Sequence, residues 1–248
     1  MPTFPLILGV YSLKKMSEIG LGDSMTKRET LSYWYVRQLA QDTIEVQPLN
    51  IYHVPSGVKQ EIPIKEFLKH YNPEPQYYKS NTVPALQSLA EKIAKGQELF
   101  AKGELDEAEK QFLKSLMIDD QSVKANYGLG QVYTEKKEFD KLKKVLNTLL
   151  NLDLAFAQEN REQFNSFGIT LRKNKCFDES IRFYSRALEL NAMDEHVYFN
   201  MARAHYEKGA VDECMNNLNI ALAVNPDFVE ARKFLDYCQR NPAPPAAG

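Results

Sequence analysis

The sequence predicts an α+β chain, in which a small antiparallel β meander precedes a C-terminal all-α array of four helical hairpins and a capping helix. Three observations carry that prediction. An apolar-Asp-(Glu/Lys) element recurs at Leu105-Asp106-Glu107, Phe139-Asp140-Lys141, Phe177-Asp178-Glu179 and Val211-Asp212-Glu213, at intervals of 34, 38 and 34 residues. Small residues recur in the same register at Gly96, Gly130, Gly168 and Ala202. Two series in one register mark a repeat whose period is that of a helix pair. From Leu31 to Ile64 the apolar period is instead two, that of a half-buried strand.

The N-terminal elements follow in order. Residues 1–29 read as a leader, disordered or belonging to a mis-assigned start, with Met16 and Met25 as alternative initiators. Its apolar run from Phe4 to Leu13 has no preceding basic residue and is far short of the roughly 20 residues that span a bilayer. Residues 30–71 form the β-rich domain. Trp34 and Val36 alternate with Tyr33, Tyr35 and Arg37; Ile44 and Val46 alternate with Thr43, Glu45 and Gln47; Val58, Ile62 and Ile64 lie opposite Lys59 and Glu61. Gln41-Asp42 and Pro55-Ser56-Gly57 supply turns, giving a three-stranded meander that a strand from the leader would close into an SH3-like barrel. Pro63 suits the first turn of a short helix carrying Phe67 and Leu68. Residues 72–88, with three prolines, read as an extended linker.

The hairpins occupy 89–122, 123–156, 161–194 and 195–228. Within each, small residues sit where the two helices approach, as at Gly96 and Ala108 or Ala202 and Cys214, and large ones fill the adjoining space: Leu99 with Phe112, Tyr133 with Leu146, Leu171 with Tyr184, His205 with Leu218. The turn aspartates are placed to cap the second helices. Gly103 and Gly209 suit left-handed exits from the first helices, a place that Lys137 takes in the second hairpin. The four extra residues Ala157-Gln158-Glu159-Asn160 amount to one helical turn and predict a lengthened helix. A capping helix over 228–239 presents Ala231, Leu235 and Cys238, and the proline-rich tail 241–248 should be disordered.

These residues resemble the tetratricopeptide repeat family over 89–240, whose pattern has small residues at positions 8 and 20, aromatics at 11 and 24, and proline at 32. The fourth hairpin fits best, ending in Ala221 and Asn225-Pro226; the second departs most, with Leu142, Leu146 and Leu149 at small or aromatic positions. The resemblance implies a superhelix whose first helices line a concave groove. Carried onto this chain, the groove residues are Tyr127, Gln131, Asn165, Ile169, Arg172, Phe199, Arg203 and Tyr206. Arg172 and Arg203 are expected to face one cavity, with Glu162 or Glu207 as compensating carboxylates. The family's chaperone-tail binders carry a lysine and asparagine clamp; Ile93 and Gln97, or Tyr127 and Gln131, stand at its first positions, so that tail is not the expected ligand.

Composition narrows the function classes. Hydrophobic residues make up 44% and charged ones 26%, ordinary for a globular protein. The net charge of -2 argues against a dominant affinity for nucleic acid. Three cysteines without ligand-like spacing make a poor disulfide framework and fit a cytoplasmic location. The four histidines show no metal-ligand spacing. Gly128-Leu129-Gly130 lies within a predicted helix and is better explained by helix contact than by phosphate binding, and the acidic pairs Asp119-Asp120 and Asp178-Glu179 by solvated helix ends than by acid–base chemistry. Cys176 is expected in an exposed turn. No catalytic, cofactor or metal residues are assigned. The expected function is a non-catalytic adaptor or assembly factor, binding a protein or peptide with an acidic or carboxylate-bearing segment. The alternatives are a nucleic-acid-associated protein using Tyr33, Trp34, Tyr35, Arg37 and Lys59 as a stacking platform, or a regulatory subunit of an enzyme.

Overall fold

Five strands form one antiparallel sheet: β1 (Leu8–Ile19), β2 (Thr26–Ala40), β3 (Thr43–Pro48), β4 (Gln60–Pro63) and β5 (Tyr71–Pro73), in the order β4-β3-β2-β1-β5. The computed structural model describes residues 6–19 and 26–241. Chain contacts divide into two compact units, one of Met1–Lys95 with Lys114–Gln121 and one of Gly96–Leu113 with Ser122–Gly248.

In the first unit Val36, Ile44 and Val46 are fully buried and meet Phe67 from α1 (Ile64–His70), with Trp34, Ile62 and Ile64 packed around them. That is the face the alternation predicts. Three expectations are corrected. The described part of the leader is a strand: β1 pairs with β2 from Leu8 opposite Arg37 to Ile19 opposite Thr26, and with β5 at Tyr11–Leu13, while residues 1–5 and 20–25 lie outside the described residues. A leader strand therefore joins the sheet, but β4 and β5 are not paired with each other among the described residues, so the order is open, with Phe67 covering the apolar face. Val58 is exposed in a loop.

The proline-containing linker begins in β5 and is helical from Pro75 on. Pro75 stands in the first turn of α2 (Pro75–Tyr77), a π turn spans Tyr78–Thr82, and α3 runs Val83–Ala101. Proline is tolerated at a helix start, and the widened turn comes just ahead of Pro84, whose ring lacks an N–H and clashes with the carbonyl one α turn back.

The remaining helices are α4 (Leu105–Ile118), α5 (Val123–Glu135), α6 (Phe139–Leu150), α7 (Arg161–Lys173), α8 (Phe177–Leu190), α9 (Glu195–Lys208), α10 (Val211–Val224) and α11 (Val229–Arg240). Glycines admit aromatic rings between them. A Cβ on Gly128 would lie 2.3 Å from the Phe112 ring, and one on Gly130 2.5 Å from Phe167. The Gly-Leu-Gly segment is thus a pair of notches, one for the ring of the preceding hairpin and one for the ring of the next.

The turn aspartates do not cap. Asp140, Asp178 and Asp212 are second residues of their helices, behind Glu138, Cys176 and Ala210 at the N-caps, where no side chain bonds the backbone. Asp106 and Asp178 instead accept from Lys136, the C-cap of α5, at 2.8 Å and from Lys208 of α9 at 2.5 Å, each from the following hairpin. Their charge still suits a helix N-terminus.

Left-handed residues end each first helix at the repeat interval: Gly103 (φ 78), Lys137 (φ 57), Lys175 (φ 63) and Gly209 (φ 94). A side chain in that region costs about 1 kcal/mol that glycine avoids. Lys137→Gly and Lys175→Gly should therefore each stabilise the helical unit by roughly 0.5–1 kcal/mol, read as a higher urea midpoint at unchanged m value. A fall in midpoint would show that the lysine side chains outweigh the backbone term.

The extra four residues do not lengthen a helix. Two 3-10 turns, Asp153–Phe156 and Gln158–Asn160, separate α6 from α7, with extended backbone at Leu152 and Ala157. The Asn160 amide donates to the Leu154 carbonyl at 2.8 Å, and Phe156 turns in against Phe164 and Phe183. Cys176 is buried, not exposed. Cys214 and Cys238 are also buried, their sulfurs 3.7 Å apart, and burial pushes all three thiols up from the usual cysteine value. The α11 helix follows the last hairpin, burying Ala231 and Cys238; of the tail, residues 242–248 lie outside the described residues.

A candidate peptide groove on the first helices

The eight groove residues of the sequence reading separate into two groups. Tyr127 and Tyr206 are not surface anchors. Tyr127 is 2% exposed, and its hydroxyl donates to the Ala155 carbonyl at 2.7 Å. The 3-10 turn Asp153–Phe156 supplies that carbonyl, and Tyr127 also packs against Phe167 and Phe183, so an expected groove position is core. Tyr206 is buried against Phe234 and Tyr237, with ring centroids 5.4 and 5.9 Å apart, and burial pushes its hydroxyl up to about 12. Gln131 and Ile169 are half-buried, and the Gln131 amide donates to Ser166 at 2.9 Å, joining α5 to α7.

Asn165, Arg172, Phe199 and Arg203 lie where α7 and α9 adjoin. Arg172 is 6% exposed and pairs with Glu207, one of the two compensating carboxylates expected for it. Arg203 is half-buried, and among the described residues no carboxylate forms an ion pair with it. Burial, and then the neighbouring Arg172 guanidinium, hold Arg203 below the usual arginine value, with Glu207 opposing. Between them lies a residue the sequence did not single out as functional. Tyr184 of α8 is fully buried, and its hydroxyl has no hydrogen-bond partner. A Cβ on Gly168 would stand 2.4 Å from that oxygen, so the hydroxyl reaches α7 through the absence of a side chain there, one turn before Arg172. Burial raises the Tyr184 value while both Arg172 and Arg203 oppose the rise, placing the hydroxyl in the field of both cations. The Asn165 side-chain oxygen is likewise buried and unbonded.

Beside Arg203 the surface opens into a cleft of about 440 Å³ lined by Phe199, Arg203, Glu230, Lys233, Phe234 and Tyr237. Phe199 and Arg203 hold positions 5 and 9 of the last repeat; Glu230, Lys233 and Tyr237 stand 34 residues after His196, Phe199 and Arg203. The repeat phase thus continues into α11, a signal missed by reading α11 only as a lid. A second cleft, of about 340 Å³, lies at the insertion, where Arg161 is already paired with Asp194, and Arg186 with Asp153. Burial opposes the charge of Asp194, but Arg161 and the Val197 N–H outweigh it and hold the carboxyl below its usual value.

The alternative stacking surface is occupied. Tyr33 stacks on Tyr77 at 4.1 Å, Trp34 meets Tyr71 edge-on and Tyr35 lies against Tyr78, while Glu45 pairs with both Arg37 and Lys59. Among the described residues no group of three or more His, Cys, Asp or Glu could hold a metal ion, and no helix is long and apolar enough to cross a membrane.

A family model described as the tetratricopeptide repeat matches residues 123–156, the α5/α6 hairpin. The α5/α6 hairpin is thus similar to a tetratricopeptide repeat, and the other hairpins repeat its helix pairing in a TPR-like array. Such repeats are in general non-catalytic modules that bind proteins or peptides. The second hairpin, the one that departs most from the family pattern, is the one matched. Hsp70-Hsp90 organizing protein 3 of Arabidopsis thaliana is 29% identical over 91 residues, 37% of this chain and 16% of that protein. U-box domain-containing protein 70 of Oryza sativa subsp. japonica is 26% identical over 102 residues, 41% of this chain and 11% of that protein. The chain therefore matches less than a fifth of either relative. Among solved structures, pilF of Pseudomonas aeruginosa has a TM-score of 0.45 at 18% identity, covering 63% of this chain and 70% of that one. MamA of Desulfovibrio magneticus RS-1 has a TM-score of 0.44 at 13% identity, covering 62% of this chain and 86% of that one.

Proposed function

We propose that the protein is a non-catalytic cytoplasmic adaptor or assembly factor whose repeat groove holds a segment of a partner protein bearing a carboxylate. The observation that carries this reading is the unbalanced polar site at α7 and α9. Two guanidinium groups, Arg172 and the half-buried Arg203, are matched there by one carboxylate, Glu207. Placing two cations side by side in a partly buried site is costly unless an anion compensates them, and guanidinium groups bind carboxylates through paired hydrogen bonds.

Arg203 is the side chain to change, because Arg172 is buried and its removal would strand Glu207. Affinity capture with the full chain and with Arg203→Gln, quantified by mass spectrometry, tests the reading. The variant should retain its helical circular dichroism and melting temperature, while its captured partner binds at least about ten-fold more weakly, a loss of about 1.4 kcal/mol. An equal yield of the same partner from both proteins would place recognition away from the groove.

A further inference from the structure

Arg203 belongs to two places at once. On one side it shares the field of Arg172 and the Tyr184 hydroxyl; on the other it forms a wall of the α9/α11 cleft with Phe199, Phe234 and Tyr237. The cleft is aromatic on three walls. Phe199 and Phe234 are edge-on with centroids 6.1 Å apart, and Phe234 and Tyr237 are stacked at 6.4 Å. Its charged residues are Arg203, Lys233 and Glu230. Taken with Arg172 and Glu207, the region holds three cations and two carboxylates, an excess of one positive charge next to an apolar hollow.

We propose that this end of the groove reads a two-part motif in an extended peptide, an acidic residue on Arg203 and a large aromatic or aliphatic residue two positions away in the α9/α11 cleft. The inference rests on the groove reading above and adds the ligand class. In an extended chain, residues two apart face the same side about 7 Å from each other, within the reach of one arginine and the adjoining cleft. The charge excess selects an anion over a neutral or basic segment, and the three rings select an apolar neighbour over a polar one. The α11 helix is then part of the binding surface. Tyr237 is its exposed edge, 45% accessible.

The test uses the full chain and fluorescein-labelled peptides of sequence Gly-Ser-Asp-Ser-Phe-Ser-Gly, the same with Asp and Phe exchanged, and analogues with Asn for Asp or Ser for Phe, titrated by anisotropy. One of the two acidic–aromatic orders should bind at least ten-fold tighter than either of its analogues. Arg203→Gln should abolish the preference for Asp over Asn and leave that for Phe over Ser. Tyr237→Ser should do the reverse. With benzoylphenylalanine in place of Phe, photo-crosslinks should fall on α9 and α11. Equal binding of the analogues, or no binding of any peptide below about 1 mM, overturns the motif, while the capture experiment with Arg203→Gln decides the groove reading separately. Crosslinks confined to α5 or α7 overturn the motif and leave the groove reading standing. Crosslinks outside the first helices of the repeats and α11 overturn both.

Discussion

Phe183→Ala should cost the helical unit about 3–5 kcal/mol, the range for removing a fully buried aromatic side chain. The ring is fully buried and meets five others: Tyr127 and Phe167 from the first helices of two hairpins, Phe156 from the insertion, and Phe164 and Tyr184, at centroid distances from 5.0 to 6.2 Å. A cavity there is lined by rings that are themselves held. Tyr127 is fixed by its bond to Ala155, and Phe167 sits in the notch over Gly130. Collapse is therefore limited, and the cavity cost adds to the lost transfer energy. Urea unfolding followed by far-ultraviolet circular dichroism measures the effect. A loss below about 1.5 kcal/mol would mean that the cluster repacks and does not fix the spacing of α7 and α8.

That spacing matters for the candidate site, because α7 and α8 together present Arg172 and the Tyr184 hydroxyl. Phe183 and Tyr184 are neighbours in sequence facing different surroundings, one the insertion's aromatic cluster and the other Gly168. The insertion is thus tied through Phe156 and Phe183 to the helix that carries the unpartnered hydroxyl.

The repeat array was legible because its cause is local and periodic: each hairpin needs a small residue, a large one and a turn at fixed offsets, and the offsets survive even where Leu142 or Lys137 breaks the family type. The same holds for Val36, Ile44 and Val46, whose alternation states which face is buried. What escaped depends on partners distant in sequence or on one local accommodation. The strand nature of Leu8–Ile19 is decided by its pairing with β2 and β5, and β5 arrives some 50 residues later. The linker's helicity depends on a single widened turn before Pro84. Tyr127 reads as a groove position by phase, but its bond to the Ala155 carbonyl and its packing against Phe167 and Phe183 place it in the core. Tyr184 reads as an ordinary position-24 aromatic, and its exceptional feature is a missing hydrogen bond, which no spacing encodes. Arg203 reads as a groove cation by phase, and that no carboxylate forms an ion pair with it among the described residues is not encoded in that phase.

Gly128→Val should destabilise the helical unit by about 3 kcal/mol, at the upper end of ordinary overpacking. The Phe112 ring lies between two first helices. A Cβ on Gly96 of α3 would stand 2.7 Å from it, and one on Gly128 of α5 2.3 Å, both closer than side-chain carbons approach. The ring is fully buried and cannot retreat from one glycine without meeting the other. Valine adds two methyl groups beyond that Cβ. Replacing glycine in a helix interior gains only about 0.5 kcal/mol of intrinsic propensity for a β-branched residue, too little to offset the clash. Gly128→Ala should be milder, because its propensity gain approaches 1 kcal/mol and it adds one carbon. The discriminating measurement is a double-mutant cycle with Phe112→Leu. Shortening the ring alone should cost about 1 kcal/mol or more, yet in the Gly128→Val background it should restore at least about 1 kcal/mol, giving a favourable coupling between residues of adjacent hairpins. Additive losses would mean that Gly128 is constrained by something other than the Phe112 ring.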